Sequence, residues 1–335
     1  MTEKENYFKL LRGEQPDWIP KYSFNALPGQ KVPTAMVCPT LFSIDRITPG
    51  PCEDCWGVLK VPSESAGGAK LPAPGAFKLQ DISDWRDVIK LPDISEIDFE
   101  ADAKEQLSHI DRNETAVMFD LNGGVFQLLM EFMGFNEGLC AMFTDPDEVM
   151  ALLEYVSNFI YEVNAKTVDL YQPDMFALVD DTATWRSPFI SLELYRELIK
   201  PFHLQQTSLA RERGKGVDMH NCGHCEEFIE DWFDLGVVSW NPAQTCNDLV
   251  GIKKRYGNSL ILEGCWDPRD RLADPDVTEQ EVKDSIKRTM DTYAPGGGYM
   301  FMGNFLGSLK DPEVIKKNRW VQEAYEEYGR TFYQK

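Results

Sequence analysis

The sequence has few positively charged residues for its size. Lysine and arginine together number 34, whereas aspartate and glutamate number 55, so the formal net charge of this 335-residue chain is -21. A protein that binds nucleic acid or an anionic lipid surface needs a concentration of basic side chains. The charge balance therefore argues against nucleic acid and membrane surfaces as partners.

Long apolar runs are also missing. No stretch approaches the roughly 20 apolar residues that cross a bilayer, and the opening MTEKENYFKLLRGEQPDW lacks the basic-then-apolar order of a signal peptide. We therefore expect a cytoplasmic protein without a membrane segment. In a reducing compartment its eight cysteines are better interpreted as core thiols or metal ligands than as disulfides.

The chain has two differently composed parts. Residues 1–110 hold most of the proline and many of the glycines, so we expect a loop-rich N-terminal extension with short strands. Residues 111–335 alternate short β-prone runs with long amphipathic stretches, and WIPKYSF (18–24) offers one more strand. Seven or eight such units favour a single (β/α)8 TIM barrel domain. An open doubly wound sheet is less favoured, because no glycine-rich phosphate-binding fingerprint follows the early strands.

Three positions are typical of helix starts, where a capping side chain precedes a proline. They are Asp145–Pro146, Ser187–Pro188 and Asp311–Pro312. Beyond the first, residues 147–171 carry apolar side chains at three- and four-residue spacing, which predicts one long amphipathic helix.

In a barrel of this type, the catalytic residues lie at the carboxyl ends of the strands. The run GVDMHNC ends with His220 and Cys222, whose side chains would share one face of a strand, and Cys225 follows in the turn. Cys265 follows the run NSLILEG at the same rim. Thiolate and imidazole are preferred zinc ligands, and a catalytic zinc keeps one of its four positions open. We therefore predict a zinc site among these residues.

Acidic and aromatic residues are expected around this site. Asp120 and Asp181 lie at other strand ends and are candidate catalytic residues, which would position a substrate group or exchange a proton with it. A helix cap or a solvated loop carboxylate is an equally open interpretation. Trp240 and Trp266 lie beside strand ends and are candidate walls of a substrate pocket for a flat ring, although most aromatic residues belong to the core.

Several segments together resemble the uroporphyrinogen decarboxylase-like superfamily of (β/α)8 barrels. They are LLRGEQPDWIP, SPFISLELYRELIKPF, the strand ends HNCG and CWDP, and the late strand GGGYMF. The porphyrinogen-binding branch has an arginine-rich N-terminal segment for four carboxylate side arms, whereas GEQPDWIPKYSFNALPGQ contains no arginine. The resemblance therefore points to the other branch, the cobalamin-dependent methyltransferases.

Within that branch, the sequence HNC is similar to a His-x-Cys zinc motif. Methylcobalamin:coenzyme M methyltransferases take a third ligand from a cysteine after the last strands, and the corresponding FMGNFLGS has none. Aryl ether O-demethylase methyltransferases are similar in using an acidic residue followed at long spacing by two cysteines, which Glu197, Cys225 and Cys265 match. The resemblance implies a zinc site of those three residues, with His220 and Cys222 as competing ligands.

The activity that this resemblance implies is the first step of an O-demethylase system. The chain would move a methyl group from a methoxylated aromatic substrate to the Co(I) of a corrinoid, held by a separate protein that docks transiently. Three alternatives stay open: a methylcobalamin:thiol methyltransferase, a decarboxylase of the uroporphyrinogen decarboxylase type, and a non-catalytic binding protein with a structural zinc. The fold alone does not choose among them.

Overall fold

The computed structural model describes residues 1–22, 31–43, 50–64, 68–308 and 310–334. Within these ranges the chain forms ten β-strands and twelve α-helices. The strands are β1 Thr34–Val37, β2 Cys52–Glu53, β3 Leu59–Pro62, β4 Lys70–Pro72, β5 Ala116–Asp120, β6 Met175–Val179, β7 Val217–His220, β8 Val237–Ala243, β9 Ile261–Gly264 and β10 Tyr299–Met300. The helices are α1 Glu3–Leu11, α2 Trp85–Val88, α3 Phe99–Ser108, α4 Val125–Met133, α5 Phe135–Thr144, α6 Pro146–Tyr171, α7 Leu192–Leu198, α8 Lys200–Glu212, α9 Ile229–Asp234, α10 Leu249–Tyr256, α11 Glu279–Tyr293 and α12 Pro312–Tyr328.

Seven of the strands form one parallel sheet in the order β1-β5-β6-β7-β8-β9-β10. Helices connect successive strands, as parallel pairing requires. Beside β10, a parallel bridge between Lys21 and Phe301 adds an eighth segment. This arrangement confirms the predicted (β/α)8 barrel. Of the run 18–24 that was expected to supply a strand, residues 23 and 24 lie outside the described ranges.

The barrel strands bury both of their faces. On β5, Val117 and Phe119 belong to the main core that the strands form with the helices, whereas Ala116 and Met118 belong to smaller inner clusters. Successive side chains of a strand point to opposite faces. Asp120, two residues after Met118, therefore lies on the inner side at the end of β5.

Helix α1 closes the amino end of the barrel. Its Tyr7 and Leu10 pack against inner residues of the sheet. The Lys4 ammonium pairs with the carboxylate of Asp174, just before β6, at 2.7 Å. Because the strands are parallel, their carboxyl ends meet at the opposite end, which we call the mouth.

The first 110 residues contribute to the barrel as well as decorating it. Strand β1 is part of the barrel sheet, while β2, β3 and β4 form a separate antiparallel sheet. Trp56, between β2 and β3, packs edge-on against Phe132 of α4 and Phe159 of α6. The loop-rich extension is thereby attached to these two helices.

Two of the predicted helix starts are confirmed. Helix α6 begins at Pro146 and covers the whole amphipathic stretch, but the Asp145 side chain accepts from the Thr144 hydroxyl instead of capping the helix. Helix α12 begins at Pro312, and the Asp311 side chain accepts the Glu313 N–H at 2.9 Å. None of the described helices is both long enough and apolar enough to span a membrane.

The helix start predicted at Ser187 is wrong. Pro188 pairs instead with Ala183 in an antiparallel bridge, so this segment forms a turn. Helix α7 begins at Leu192, and the hydroxyl of Ser191 accepts a backbone N–H of its first turn at 3.2 Å. The next serine along the chain is therefore the cap, and it needs no proline after it.

Candidate metal centre

Three neighbouring strands bring polar side chains to the mouth. Asp181 lies two residues beyond β6, His220 is the last residue of β7, and Cys222 follows two residues later. The parallel register pairs Val179 with His220, and His220 with Asn241 of β8. The ends of these three strands therefore lie at the same level of the mouth.

Asp181, His220 and Cys222 form what we call the metal-donor cluster. One carboxylate oxygen, one imidazole nitrogen and the sulfur lie within 4.8 Å of one another. His220 Nε2 is 3.8 Å from Cys222 Sγ and 3.8 Å from Asp181 Oδ1. The Cys222 N–H donates to Asp181 Oδ1 at 2.7 Å, which ties the two loops together. Among the described residues, no other three such donors come this close.

The donor set and its spacing fit a zinc ion. Zinc binds thiolate sulfur at about 2.3 Å and imidazole nitrogen at about 2.0–2.1 Å, so two such ligands of a tetrahedral ion lie about 3.5 Å apart. The distance from His220 Nε2 to Cys222 Sγ is 3.8 Å. Carboxylate oxygen is a third accepted ligand. Three protein ligands leave one position for water or substrate, as in catalytic rather than structural zinc sites.

The Cys222 thiol has a raised pKa. Its burial is the main cause, and the nearby Asp181 carboxylate adds to it. Without a cation, Cys222 is therefore a neutral thiol. A bound divalent cation reverses this preference, because a coordinating thiol loses its proton.

The ligand set implied by the resemblance is not brought together. Glu197 is exposed on α7. Cys225 is buried, and its thiol donates to the Cys222 carbonyl at 3.1 Å. Cys265 is buried in the main core, and burial raises the pKa of both thiols. Two of the five predicted ligands thus join the metal-donor cluster, and the third member is Asp181, predicted as a catalytic residue.

Asp120 lies at the same mouth. Its carboxylate accepts the Asn122 N–H at 2.9 Å, and the side chain is only partly buried. The position on the inner face leaves it a candidate for proton exchange with a bound substrate.

The two predicted pocket tryptophans have different surroundings. Trp240 is fully buried, its indole N–H donates to the Asn221 carbonyl at 2.9 Å, and its ring packs against Trp232. It lies in the core between sheet and helices. Trp266 is partly exposed, donates to the Ser285 hydroxyl at 2.9 Å, and lines an open cavity of about 320 Å³ beside α11.

The sequence reasoning missed the residues beneath the cluster. Asn241 Oδ1 lies 2.6 Å from His220 Nδ1, and Asn241 Nδ2 donates to the carboxylate of Asp218. A signal for them exists in the sequence. Ser239 and Asn241 have the same two-residue spacing near the end of β8 as Asp218 and His220 have on β7, so each pair shares one face of its strand.

Comparison with known sequences identifies the family. Residues 59–303, more than two thirds of the chain, match the family described as Uroporphyrinogen decarboxylase (URO-D). The chain belongs to the uroporphyrinogen decarboxylase family. The match includes all three members of the metal-donor cluster. No curated protein matches the sequence.

Among solved structures, this uroporphyrinogen decarboxylase family member is similar to a methyltransferase from Methanosarcina mazei. The two sequences are 13% identical, the TM-score is 0.61, and the alignment covers 98% of this chain and 99% of that chain. The likeness shows that the two proteins share a fold over their whole length. The predicted superfamily is confirmed by the family match over residues 59–303.

Proposed function

We propose that this chain is a zinc-dependent methyltransferase. It moves a methyl group from a methoxylated aromatic substrate to the Co(I) of a corrinoid that a separate, transiently docked protein carries. The observation that carries the proposal is the metal-donor cluster, whose nitrogen, sulfur and oxygen donors are spaced as ligands of one ion and leave a position for a substrate atom. The structural neighbour from Methanosarcina mazei, a methyltransferase by name, supports the class of reaction.

A methyl ether is hard to cleave because an alkoxide or phenolate is a poor leaving group. Zinc held by Asp181, His220 and Cys222 would supply Lewis-acid polarisation of the ether oxygen. The C–O bond breaks with both electrons passing to oxygen, while the methyl group passes to the acceptor, which provides the new electron pair. Asp120, on the inner side of the mouth, would pass a proton taken up from solvent to the released oxygen.

A row of three aromatic rings, which begins one residue before Gln127, favours an aromatic substrate. The Phe126 and Phe189 rings stack with their centroids 5.8 Å apart. The Phe189 centroid lies 4.9 Å from that of the half-exposed Phe135. Gln127, next to Phe126, donates its side-chain amide to Asp181 Oδ2 at 3.4 Å. Phe126 is fully buried and Phe135 is half-exposed, so a methoxylated substrate ring would contact the Phe135 end of this row, where ring–ring contacts are favourable.

Metal content tests the proposal first. Zinc would be measured by mass spectrometry on protein purified without chelator, for the wild type and for Cys222→Ser, with Cys225→Ser as the matched control. We expect stoichiometric zinc in the wild type and in Cys225→Ser, and strong loss in Cys222→Ser, because only the Cys222 sulfur belongs to the cluster. Zinc absent from the wild type, or retained in Cys222→Ser, contradicts the metal assignment.

Methyl transfer tests the reaction. Free cob(I)alamin would be mixed with the zinc-loaded protein and a panel of methoxylated aromatics under strict exclusion of oxygen. Its conversion to methylcobalamin would be followed by visible absorption. We expect methylation with at least one donor, lost in Cys222→Ser and reduced by Asp120→Asn. A zinc-loaded protein that methylates cob(I)alamin with none of them would contradict the substrate class.

A further inference from the structure

Beneath the metal-donor cluster, a polar column runs into the barrel interior. We use this name for Asp218, Ser239 and Asn241, the inner residues of β7 and β8. Each is at most 1% exposed. A buried polar group costs free energy unless it is hydrogen-bonded, so the pattern of hydrogen bonds within the column restricts how its side chains can be oriented.

The Asn241 amide is held in one orientation. Its Nδ2 donates to Asp218 Oδ2, and the Ser239 hydroxyl donates to Asp218 Oδ1. The reversed amide would place its oxygen against a carboxylate oxygen, which leaves two acceptors facing each other. Asp218 therefore directs Asn241 Oδ1 toward the metal-donor cluster.

The oriented amide determines which nitrogen of His220 carries the proton. Nδ1 lies 2.6 Å from Asn241 Oδ1. An amide oxygen only accepts, so Nδ1 must be the donor. The lone pair of the neutral imidazole is then on Nε2, which can accept from the Cys222 thiol at 3.8 Å. The Asp181 carboxylate oxygen is also 3.8 Å away, too far for a hydrogen bond that would require a proton on Nε2. The imidazole thus has the tautomer of a metal ligand before any metal binds.

His203 provides a contrast within the same chain. Its Nε2 lies 2.9 Å from Asp180 Oδ2, and its Nδ1 lies 3.2 Å from the Tyr195 hydroxyl. A carboxylate requires a proton on the facing nitrogen, while a phenol can donate to the other. His203 is therefore expected in the opposite tautomer, with Nε2 protonated.

We propose that Asn241, directed by Asp218, is a positioning residue that holds His220 in the Nδ1-protonated tautomer and thereby sets the zinc affinity of the metal-donor cluster. The affinity part of this inference rests on the proposed function. Partners that orient a ligating histidine typically change metal affinity about 10–100-fold.

The tautomer can be measured without any metal. The chain has four histidines, so ¹⁵N-histidine labelling gives a spectrum that His220→Ala and His203→Ala would assign. In metal-free wild type at mildly alkaline pH, we expect His220 protonated on Nδ1 and His203 on Nε2. Asn241→Ala should convert His220 to a mixture of tautomers and leave His203 unchanged. A wild-type His220 protonated on Nε2 overturns the inference.

Zinc affinity gives the second measurement, by competition with a chromophoric chelator. Asn241→Ala should bind zinc about 10–100-fold more weakly. Ser239→Ala is the matched control, because it removes a hydrogen bond of the same Asp218 without touching the histidine, and it should stay within a few-fold of wild type. The exchange variant Asn241→Asp with Asp218→Asn keeps one carboxylate and one amide and should recover much of the loss.

The outcomes separate this inference from the proposed function. If Asn241→Ala lowers the melting temperature but leaves the His220 tautomer and the zinc affinity unchanged, Asn241 is only a structural residue and the inference fails. If the wild type binds no zinc while the His220 tautomer still depends on Asn241, the zinc function fails and the positioning role of Asn241 stands.

Discussion

At the scale of single residues, Glu263 of β9 is a fully buried acid. Neither carboxylate oxygen has a hydrogen-bond partner within the described part of the chain. The titratable groups near Glu263 are Asp218 of β7 and the phenols of Tyr7 and Tyr22. The nearby Ser239 hydroxyl donates its proton to Asp218. Burial, followed by the Asp218 carboxylate, raises the pKa of Glu263 well above its usual value. Glu263 therefore keeps its proton in the folded protein to a higher pH than an exposed glutamate does.

Replacing Glu263 by glutamine should flatten the pH dependence of stability. An acid whose pKa is higher in the folded than in the unfolded state binds more protons when the protein is folded. Its contribution to stability is therefore most favourable at low pH, and it is lost as the pH rises from the unfolded-state pKa toward the folded-state pKa. The wild type should lose stability relative to Glu263→Gln above about pH 4.5. Urea unfolding at a series of pH values measures the difference, and a constant difference would contradict the raised pKa.

Residue types and strand positions were enough to predict that His220 and Cys222 share one strand face and that Asp181 lies at the same mouth, because alternation along a strand decides which side chains share a face. That Asp181 joins the two as a third metal donor was not predicted. The same reasoning could not separate Cys222 from Cys225, since the turn after a strand has no fixed direction. It also missed Asn241, because the register between β7 and β8 depends on long-range pairing rather than on local pattern.

At the scale of elements, Asp180 joins β6 to two helices. Its carboxylate accepts the Gln127 N–H at 2.9 Å and the Phe126 N–H at 3.1 Å, both in the first turn of α4. It also lies 2.9 Å from His203 Nε2 of α8. The first N–H groups of a helix have no partner within the helix, and a helix N-terminus favours negative charge. One buried carboxylate thus holds three elements together just below the mouth.

Asp180→Asn should weaken the fold and leave the metal site occupied. Hydrogen bonds to charged groups contribute about 1.5–3 kcal/mol, so we expect the free energy of unfolding in urea to fall by about 2 kcal/mol. The neighbouring Asp181→Asn is the matched control. It should lose zinc, while the metal-free protein loses less stability than Asp180→Asn, because Asp181 is only partly buried and an asparagine oxygen still accepts the Cys222 N–H. Loss of zinc from Asp180→Asn at unchanged stability would contradict this assignment, since Asp180 rather than Asp181 would then bind the metal.

At the scale of the whole molecule, periodicity carries most of the information about the fold. Apolar runs followed by amphipathic stretches predict the barrel from β5 to β10, because each strand and helix buries a face of its own. The pattern does not predict β1, which is a short run between Pro33 and Pro39 that pairs with β5. Strands β2 and β4 have two and three residues, and pairing rather than their own pattern defines them.

The barrel should stay folded when its metal is removed. The main core joins the strands to the surrounding helices and contains no member of the metal-donor cluster. A zinc ion at the mouth would therefore stabilise the protein only by binding its native state. Chelation should abolish methyl transfer, leave the far-ultraviolet circular dichroism spectrum unchanged, and lower the melting temperature by roughly 5 °C.

Cys222→Ser is the control for this chelation experiment, because a protein that already lacks zinc should give the same spectrum with and without chelator. Returning zinc to the treated wild type should restore both activity and melting temperature. In small zinc domains the metal supplies the folding free energy itself, and chelators unfold them. If chelation removed the helical signal here, the zinc would be structural, and the alternative of a non-catalytic binding protein would replace the methyltransferase.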